Sequence, residues 1–349
     1  MNTQWKEFLK AAGAQIEENR VTNFGEQINE LEHLTGSTRI LCDLSNFALI
    51  EVTGEDALEF LHNQTCNDAR ALKPGQSQLT AVCHPKGRIL FGFQLIRQVD
   101  KYLLRIPAEL AEPVIKRLGM FVLRSRVEFE NLTGESVAIG YYGDQADSHL
   151  ATTLGIDMPA IGATVNHGGL LVMRIPGEKP RFEIHGPVDA VQAAWANLKQ
   201  DALPCSSDLW TLMDIRAGLP QIYAGTQDSF IPQMVNYQAL DGLSFTKGCY
   251  PGQEVVARLH YLGKLKRSMV RGRMKTETPL APGDELVSAD SSSGQWAGKI
   301  VDVIAIEPGQ NELLAVVLND VAETGQLSLE GNPDNHLELL PLPYKIQDD

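Results

Sequence analysis

A chain of 349 residues with 43% apolar side chains has material for two or three packed domains, and 44 acidic against 30 basic residues give it a formal charge of −14. So acidic a chain is a poor generic binder of nucleic acid, because phosphate contacts need clustered Lys and Arg. No stretch approaches the roughly 18 uninterrupted apolar residues of a membrane span, and the five cysteines at 42, 66, 83, 205 and 249 contain no Cys-x-x-Cys pair, which argues against a disulfide framework and a self-contained zinc site.

In chain order, residues 1–35 place Trp5, Phe8, Leu9 and Ile16 among Lys6, Glu7, Lys10 and Glu17, a pattern that predicts a helical extension without an apolar signal core. The expected location is cytoplasmic and reducing. Ala48 to Val52 reads as a strand that ends near Gly54, with a helix marked by Ala57, Leu58, Phe60 and Leu61 after it. Arg88 to Ile96 and Tyr102 to Ile106 are strand-like, a helix is expected from Ala108 to Leu118, and Val137 to Tyr142 and Leu170 to Ile175 are short strands. At Phe182-x-Ile184-x-Gly186, followed by Val188, Val191, Ala194 and Trp195, the strand-turn-helix unit returns, a faint internal duplication. Strands and helices intermix without the alternation of a doubly wound parallel sheet, so the predicted class is α+β.

The most informative segment is Lys247-Gly248-Cys249-Tyr250-Pro251-Gly252-Gln253-Glu254. Gly248 and Gly252 permit a tight turn, Pro251 suits a first helical position, and Gln253 and Glu254 suit a first turn, with Val255 to Leu262 continuing as helix. Cys249 is then expected where unpaired backbone N–H groups and the positive end of a helix dipole favour a thiolate, with Lys247 adding charge. The same spacing is compatible with a small buried cysteine in a plain turn. Between Val255 and Thr276 there is no acid, yet Arg258, Lys264, Lys266, Arg267, Arg271, Arg273 and Lys275 fall there, a stretch suited to an anion or to solvent. Beyond Lys264, short apolar segments divided by Gly, Pro, Asn and Asp predict five or six strands closing into a small barrel.

Together with Phe230-Ile231-Pro232-Gln233, Asn236, Gln238-Ala239-Leu240, Phe245 and Ala257-Arg258, this segment resembles the signature of the YgfZ family. Members are folate-binding proteins related to the aminomethyltransferase (T-protein) of glycine cleavage and to a mitochondrial iron–sulfur assembly factor. His84-Pro85-Lys86-Gly87-Arg88, Trp210 with Ile215 and Ala217-Gly218, and Leu340-Pro341-Leu342-Pro343-Tyr344 extend the resemblance over about residues 40 to 345. It implies, after the extension at 1–35, a folate-binding α+β core at 36–263 made of two related halves, about 36–135 and 136–263, and a C-terminal β-barrel at 264–349.

The resemblance also implies tetrahydrofolate or another folate derivative as the cofactor and no permanently bound metal. It places folate-contacting aromatics at Trp210 and at Phe47, the latter a departure from tryptophan that keeps a stacking face and loses an indole N–H. A pterin-binding glutamate falls at Glu183, although Trp210 also suits an ordinary core and Glu183, on an alternating strand, also suits solvent. Two departures count against aminomethyl transfer: Arg88 to Val99 lacks the aspartate those enzymes carry, and Asp214 with Arg216 reverses their Arg and Glu. The expected function is a folate-binding accessory protein that supports iron–sulfur cluster assembly or repair and, through it, tRNA modification, with Cys249 as the reactive thiol. Lys247, Gly248, Tyr250, Gly252, Gln253 and Glu254 frame that thiol, and the partners are iron–sulfur enzymes or assembly proteins, with neither direct tRNA binding nor a membrane. The alternative is a folate-dependent one-carbon or methyl transferase.

Overall fold

A computed structural model describes residues 1–25, 30–288, 296–324, 327–330 and 332–346. The elements run α1 (Thr3–Ala11), β1 (Gln15–Glu17), β2 (Arg20–Asn23), α2 (Glu30–Thr35), β3 (Arg39–Asp43), β4 (Phe47–Thr53), α3 (Ala57–Gln64), β5 (Gln76–Cys83), β6 (Ile89–Arg97) and β7 (Tyr102–Pro107). Next come α4 (Ala111–Val122), β8 (Glu128–Asn131), β9 (Ser136–Tyr142), α5 (Ala146–Leu154), β10 (Thr164–His167), β11 (Leu170–Ile175), β12 (Arg181–Pro187), α6 (Val188–Leu198), β13 (Ala202–Cys205) and α7 (Ser207–Arg216). The chain ends with α8 (Gln253–Leu262), β14 (Arg267–Lys275), β15 (Glu285–Val287), β16 (Gly298–Glu307), β17 (Gln310–Leu318), α9 (Asn319–Thr324), β18 (Ser328–Leu329) and β19 (Asn332–Leu340). This is the α+β class expected.

The strands form a two-stranded ribbon, a six-stranded sheet in the order β10-β11-β12-β9-β3-β13, a five-stranded sheet in the order β5-β6-β7-β4-β8, and a closed barrel, β14-β17-β16-β15-β18-β19. Both predicted strand-turn-helix units are present, as β4 with α3 and β12 with α6. The N-terminal stretch departs from its helical reading, since the β1–β2 hairpin separates α1 from α2. Glu18 and Asn19 sit at its tip with positive φ of 46° and 66°, a geometry that ends a helix and reverses the chain.

Contacts divide the chain into two compact units: Met1–Ala57, Leu72–Gln78 and Gln94–Met213 form the first, and Leu58–Ala71, Leu79–Phe93 and Asp214–Asp349 the second. In the first, β12 is a central strand whose alternate residues serve two faces. Phe182 and Ile184 join Trp5, Leu9, Leu150, Val191 and Trp195 in the core beneath the helices, each apolar burial contributing about 1.5–3 kcal/mol. Helix α1 is tied in through Trp5, whose ring meets Trp195 edge-on at 5.7 Å and whose Nε1 donates to Asp43 Oδ1 at 2.7 Å. Arg181, Glu183 and His185 occupy the other face and are buried as well.

In the second unit β17 alternates between two cores. Leu314 and Val316 pack with Cys66, Cys83, Phe230, Tyr237, Tyr250 and Val256, whereas Leu313, Ala315 and Val317 fill the barrel with Met274, Leu286 and Ile300. Glu312, between them, is fully buried and receives Arg216, Arg271 and Arg273 at 2.9–3.2 Å. Burial opposes its charge, but the three guanidiniums override it and hold the carboxyl at about 2.

Candidate functional site

The predicted site residues fall into two groups, one in each unit. In the first unit the link is β12. Glu183 is 1% exposed, because a central strand buries both faces, and the solvent-facing alternative for it is thereby ruled out. Arg105, on β7, donates to both carboxylate oxygens, Nη2 to Oε1 at 2.5 Å and Nε to Oε2 at 3.1 Å, while His185 Nε2 lies 3.1 Å from Oε2. Burial would raise the Glu183 carboxyl; Arg105 and His185 outweigh it and bring it to about 2. The other side of the Arg105 guanidinium rests on Phe47, 3.4 Å from its ring centroid. Phe47 and Glu183 are thus joined through one arginine, and Phe47 with His185 lines a small open cleft of about 10 Å³.

Trp210, on α7, is 1% exposed, and its ring faces Arg181, two residues before Glu183, at 4.7 Å. It also lies flush against β9 at Gly140, where a Cβ would fall 2.4 Å from the indole. Its Nε1 is buried with no hydrogen-bond acceptor. The sequence reading missed Arg105, Arg181 and His185. The spacing Arg181-x-Glu183-x-His185 was a signal for the last two, since it sets three polar side chains on one strand face.

In the second unit the Lys247–Gly252 segment leads into α8, whose first two residues are Gln253 and Glu254. Gly252 is the N-cap, with φ +87°, and a Cβ there would lie 2.5 Å from the His84 carbonyl oxygen and 2.7 Å from Gly87 Cα. Only glycine allows that approach, which seats the thiol turn on the His84–Arg88 turn, itself closed by Gly87 N donating to His84 O. Pro251 therefore precedes the cap rather than opening the helix, whose first residues are Gln253 and Glu254. Gln253 Nε2 donates back to the Lys247 carbonyl at 3.3 Å, and Gln233 Nε2 donates to the Val256 carbonyl at 2.7 Å.

Lys247 is 6% exposed. Its ammonium donates to the carbonyls of His62, Thr65 (2.5 Å) and Asn67 (3.1 Å), closing the C-terminal end of α3, and it sits 5.1 Å from the centroid of Tyr250. Burial draws Lys247 down to about 8. Tyr250 is buried, and desolvation raises its phenol well above the ordinary range. Gly248 is open except for His62 Nε2, 3.7 Å from where its Cβ would be. Cys249 itself is exposed, whereas Cys42, Cys66, Cys83 and Cys205 are buried. The buried four are neighbours in pairs: Cys42 stands opposite Cys205 across β3 and β13, and Cys66 and Cys83 share one apolar core. Sequence spacing concealed both pairs, since strand pairing alone brings them together.

Of the basic stretch after Val255, Arg271 and Arg273 are engaged with Glu312, and Arg267 lies 4.5 Å from the centroid of Trp296. Arg258, Lys264, Lys266 and Lys275 face solvent. Among the described residues no helix is long and apolar enough to cross a membrane, and no group of three or more His, Cys, Asp or Glu is arranged to hold a metal ion.

The GCVT N-terminal domain model matches residues 7–205. The proteins named tRNA-modifying protein YgfZ from Colwellia psychrerythraea and Yersinia pestis are 30% and 31% identical over 307 and 318 residues, covering 88% and 90% of this chain and 93% and 95% of theirs. Among solved structures, glycine cleavage system aminomethyltransferase T from Bartonella henselae superposes with a TM-score of 0.75 over 99% of this chain and 98% of that one, at 19% identity, which shows a shared fold. The chain belongs to the YgfZ family, built on the GCVT domain and the aminomethyltransferase fold with its terminal barrel.

Proposed function

We propose that this chain is a folate-binding accessory protein that sustains the assembly or repair of iron–sulfur clusters in client enzymes and, through them, tRNA modification, with Cys249 as its reactive thiol. The observation that carries this reading is the contrast among the sulfurs: four cysteines are sealed in cores, and the fifth stands exposed on a turn that Gly252 and Lys247 hold in place. A single cysteine does not hold a cluster that ordinarily takes four, so the cluster belongs to the client. The relatives bear the name tRNA-modifying proteins, and with Arg271 and Arg273 engaged by Glu312, a route to tRNA through clients fits better than direct binding.

The aromatic residues fit a reduced folate. Trp210 carries a buried indole N–H without an acceptor, which a pterin oxygen or nitrogen would satisfy, and Phe47 offers a ring already backed by Arg105. Glu183 accepts two bonds from Arg105 and faces His185, leaving about one of its four acceptor positions for a pterin N–H. Folate, when bound, supplies a one-carbon carrier; the chain's own part is to hold its ring and to present Cys249. Aminomethyl transfer is not part of the proposal, since Arg88 to Val99 offers no carboxylate and Arg216 is committed to Glu312.

In cells lacking this chain, Cys249→Ser is expected to fail to restore iron–sulfur-dependent tRNA modification while folding normally. Full restoration by that variant removes the thiol from the proposal. Tetrahydrofolate is expected to quench tryptophan fluorescence in the wild type and to lose most of that signal and affinity in Trp210→Ala; equal affinity in both places the ligand elsewhere.

A further inference from the structure

Cys42 and Cys205 take no chemical part in the reading above. They form the last rung of the parallel ladder between β3 and β13, which runs from Arg39 opposite Ala202 to Cys42 opposite Cys205. Residues directly opposite on neighbouring strands project from the same face of a sheet, and both thiols are free and fully buried there. Neighbouring strands lie about 4.8 Å apart, inside the range of about 4.4–6.8 Å that separates the Cα atoms of a disulfide. The Cys205 thiol donates only a long bond, 3.5 Å, to the Leu203 carbonyl of its own strand.

We propose that Cys42 and Cys205 are a site of reversible oxidation, two thiols that close into a disulfide by exchange with a small disulfide such as oxidised glutathione. Cys205 reacts first, because it lies on the edge strand. It loses its proton, its sulfur attacks one sulfur of oxidised glutathione, the bond between the two glutathione sulfurs breaks, and one glutathione leaves as a thiolate. Cys42 then gives up its proton, attacks the Cys205 sulfur and displaces the second glutathione. The two protein thiols lose two protons and two electrons, and one glutathione disulfide becomes two glutathione thiols.

The strand that must open is a weak one. β13 has four residues, pairs only with β3, and carries Pro204, which has no N–H for a ladder. Burial, and Glu30 less strongly, push the Cys205 thiol up, and burial does the same to Cys42, so both stay protonated while the ladder is closed and exchange proceeds when the edge opens. Parallel neighbours keep their Cβ atoms about 4.8 Å apart, as far as the strands themselves, beyond the roughly 3.8 Å of a relaxed disulfide. Closure therefore draws the edge inward, and the strained bond is readily reduced. The row that ends at Cys205 begins at Glu183 and passes through Gly140 and Cys42, so the bond forms beside the rung on which the Trp210 indole is seated.

The test is peptide mapping by mass spectrometry of the full chain, carrying Cys249→Ser to silence the exposed sulfur, after equilibration with oxidised glutathione and again after dithiothreitol. A peptide linked through Cys42 and Cys205, removed by dithiothreitol, is expected. With it, hydrogen exchange at the β13 amides should slow about tenfold, and tryptophan emission should fall, because a disulfide quenches an adjacent indole. Cys42 and Cys205 recovered as free thiols, or only as separate glutathione adducts, overturn the assignment. So does protection of β13 that persists undiminished in Cys205→Ala. None of these readouts involves folate or the sulfur at 249, so this proposal and the one above fail separately.

Discussion

The polar face of β12 and the thiol turn before α8 hold their charges by opposite means. On β12, charge answers charge: Arg105 grips Glu183, His185 flanks it, and Phe47 closes the far side of the guanidinium. At the thiol turn the buried cation, Lys247, is bonded to three backbone carbonyls, and Cys249, two residues on, remains open to solvent. A paired interior is rigid because each member strands the other when removed; a backbone-anchored turn leaves its exposed residue free to change without loss of fold.

The largest effect that sharpens this contrast is therefore expected from Arg105→Met, which leaves Glu183 buried with His185 alone. Urea denaturation should show a loss of about 3–5 kcal/mol, and a loss below 1 kcal/mol would show the pair to be dispensable. Next, Gly140→Ala drives a methyl into the Trp210 ring and is expected to cost about 1–3 kcal/mol, with a shift in tryptophan emission. Lys247→Met is expected to fall in the same range, through three carbonyls that lose a donor, and a slower-folding or locally protease-sensitive turn would locate the loss there. Cys249→Ser, at an exposed position, is expected to stay within about 0.5 kcal/mol of wild type.

Acid separates the regions too. Glu183 and Glu312 are both held at about 2 in the folded chain against an ordinary 4.5, so the unfolded chain binds more protons between those values. Their stabilisation is complete above pH 4.5 and is lost as pH falls toward 2. Denaturation midpoints measured across that window should decline in the wild type and decline less steeply in Arg105→Met, where the Glu183 share has been removed.

The outline of the fold was legible because its signals are local. Alternation in Phe182-x-Ile184 marked β12, glycine and proline punctuation marked the barrel, and Lys247 to Glu254 marked a glycine-hinged turn. What remained hidden depends on residues brought together by strand register. Arg105 lies 78 positions from Glu183, and Lys247 lies 185 from His62, so no periodicity announces either contact. The N-cap at Gly252 was missed by two residues because a proline before a cap and a proline after it look alike in sequence, and only the backbone contact with His84 and Gly87 decides between them. The seven basic residues from Arg258 to Lys275 looked uniform, yet a glutamate directly across the β14–β17 ladder draws two of them inward.

The seating of the Trp210 indole on bare backbone at Gly140 has an evolutionary corollary. A side chain at 140 is tolerable only where the ring at 210 has already shrunk, and a tryptophan at 210 can arise only where 140 is still glycine. The two positions are therefore expected to drift as a pair across distant lineages, in a fixed order of mutational steps.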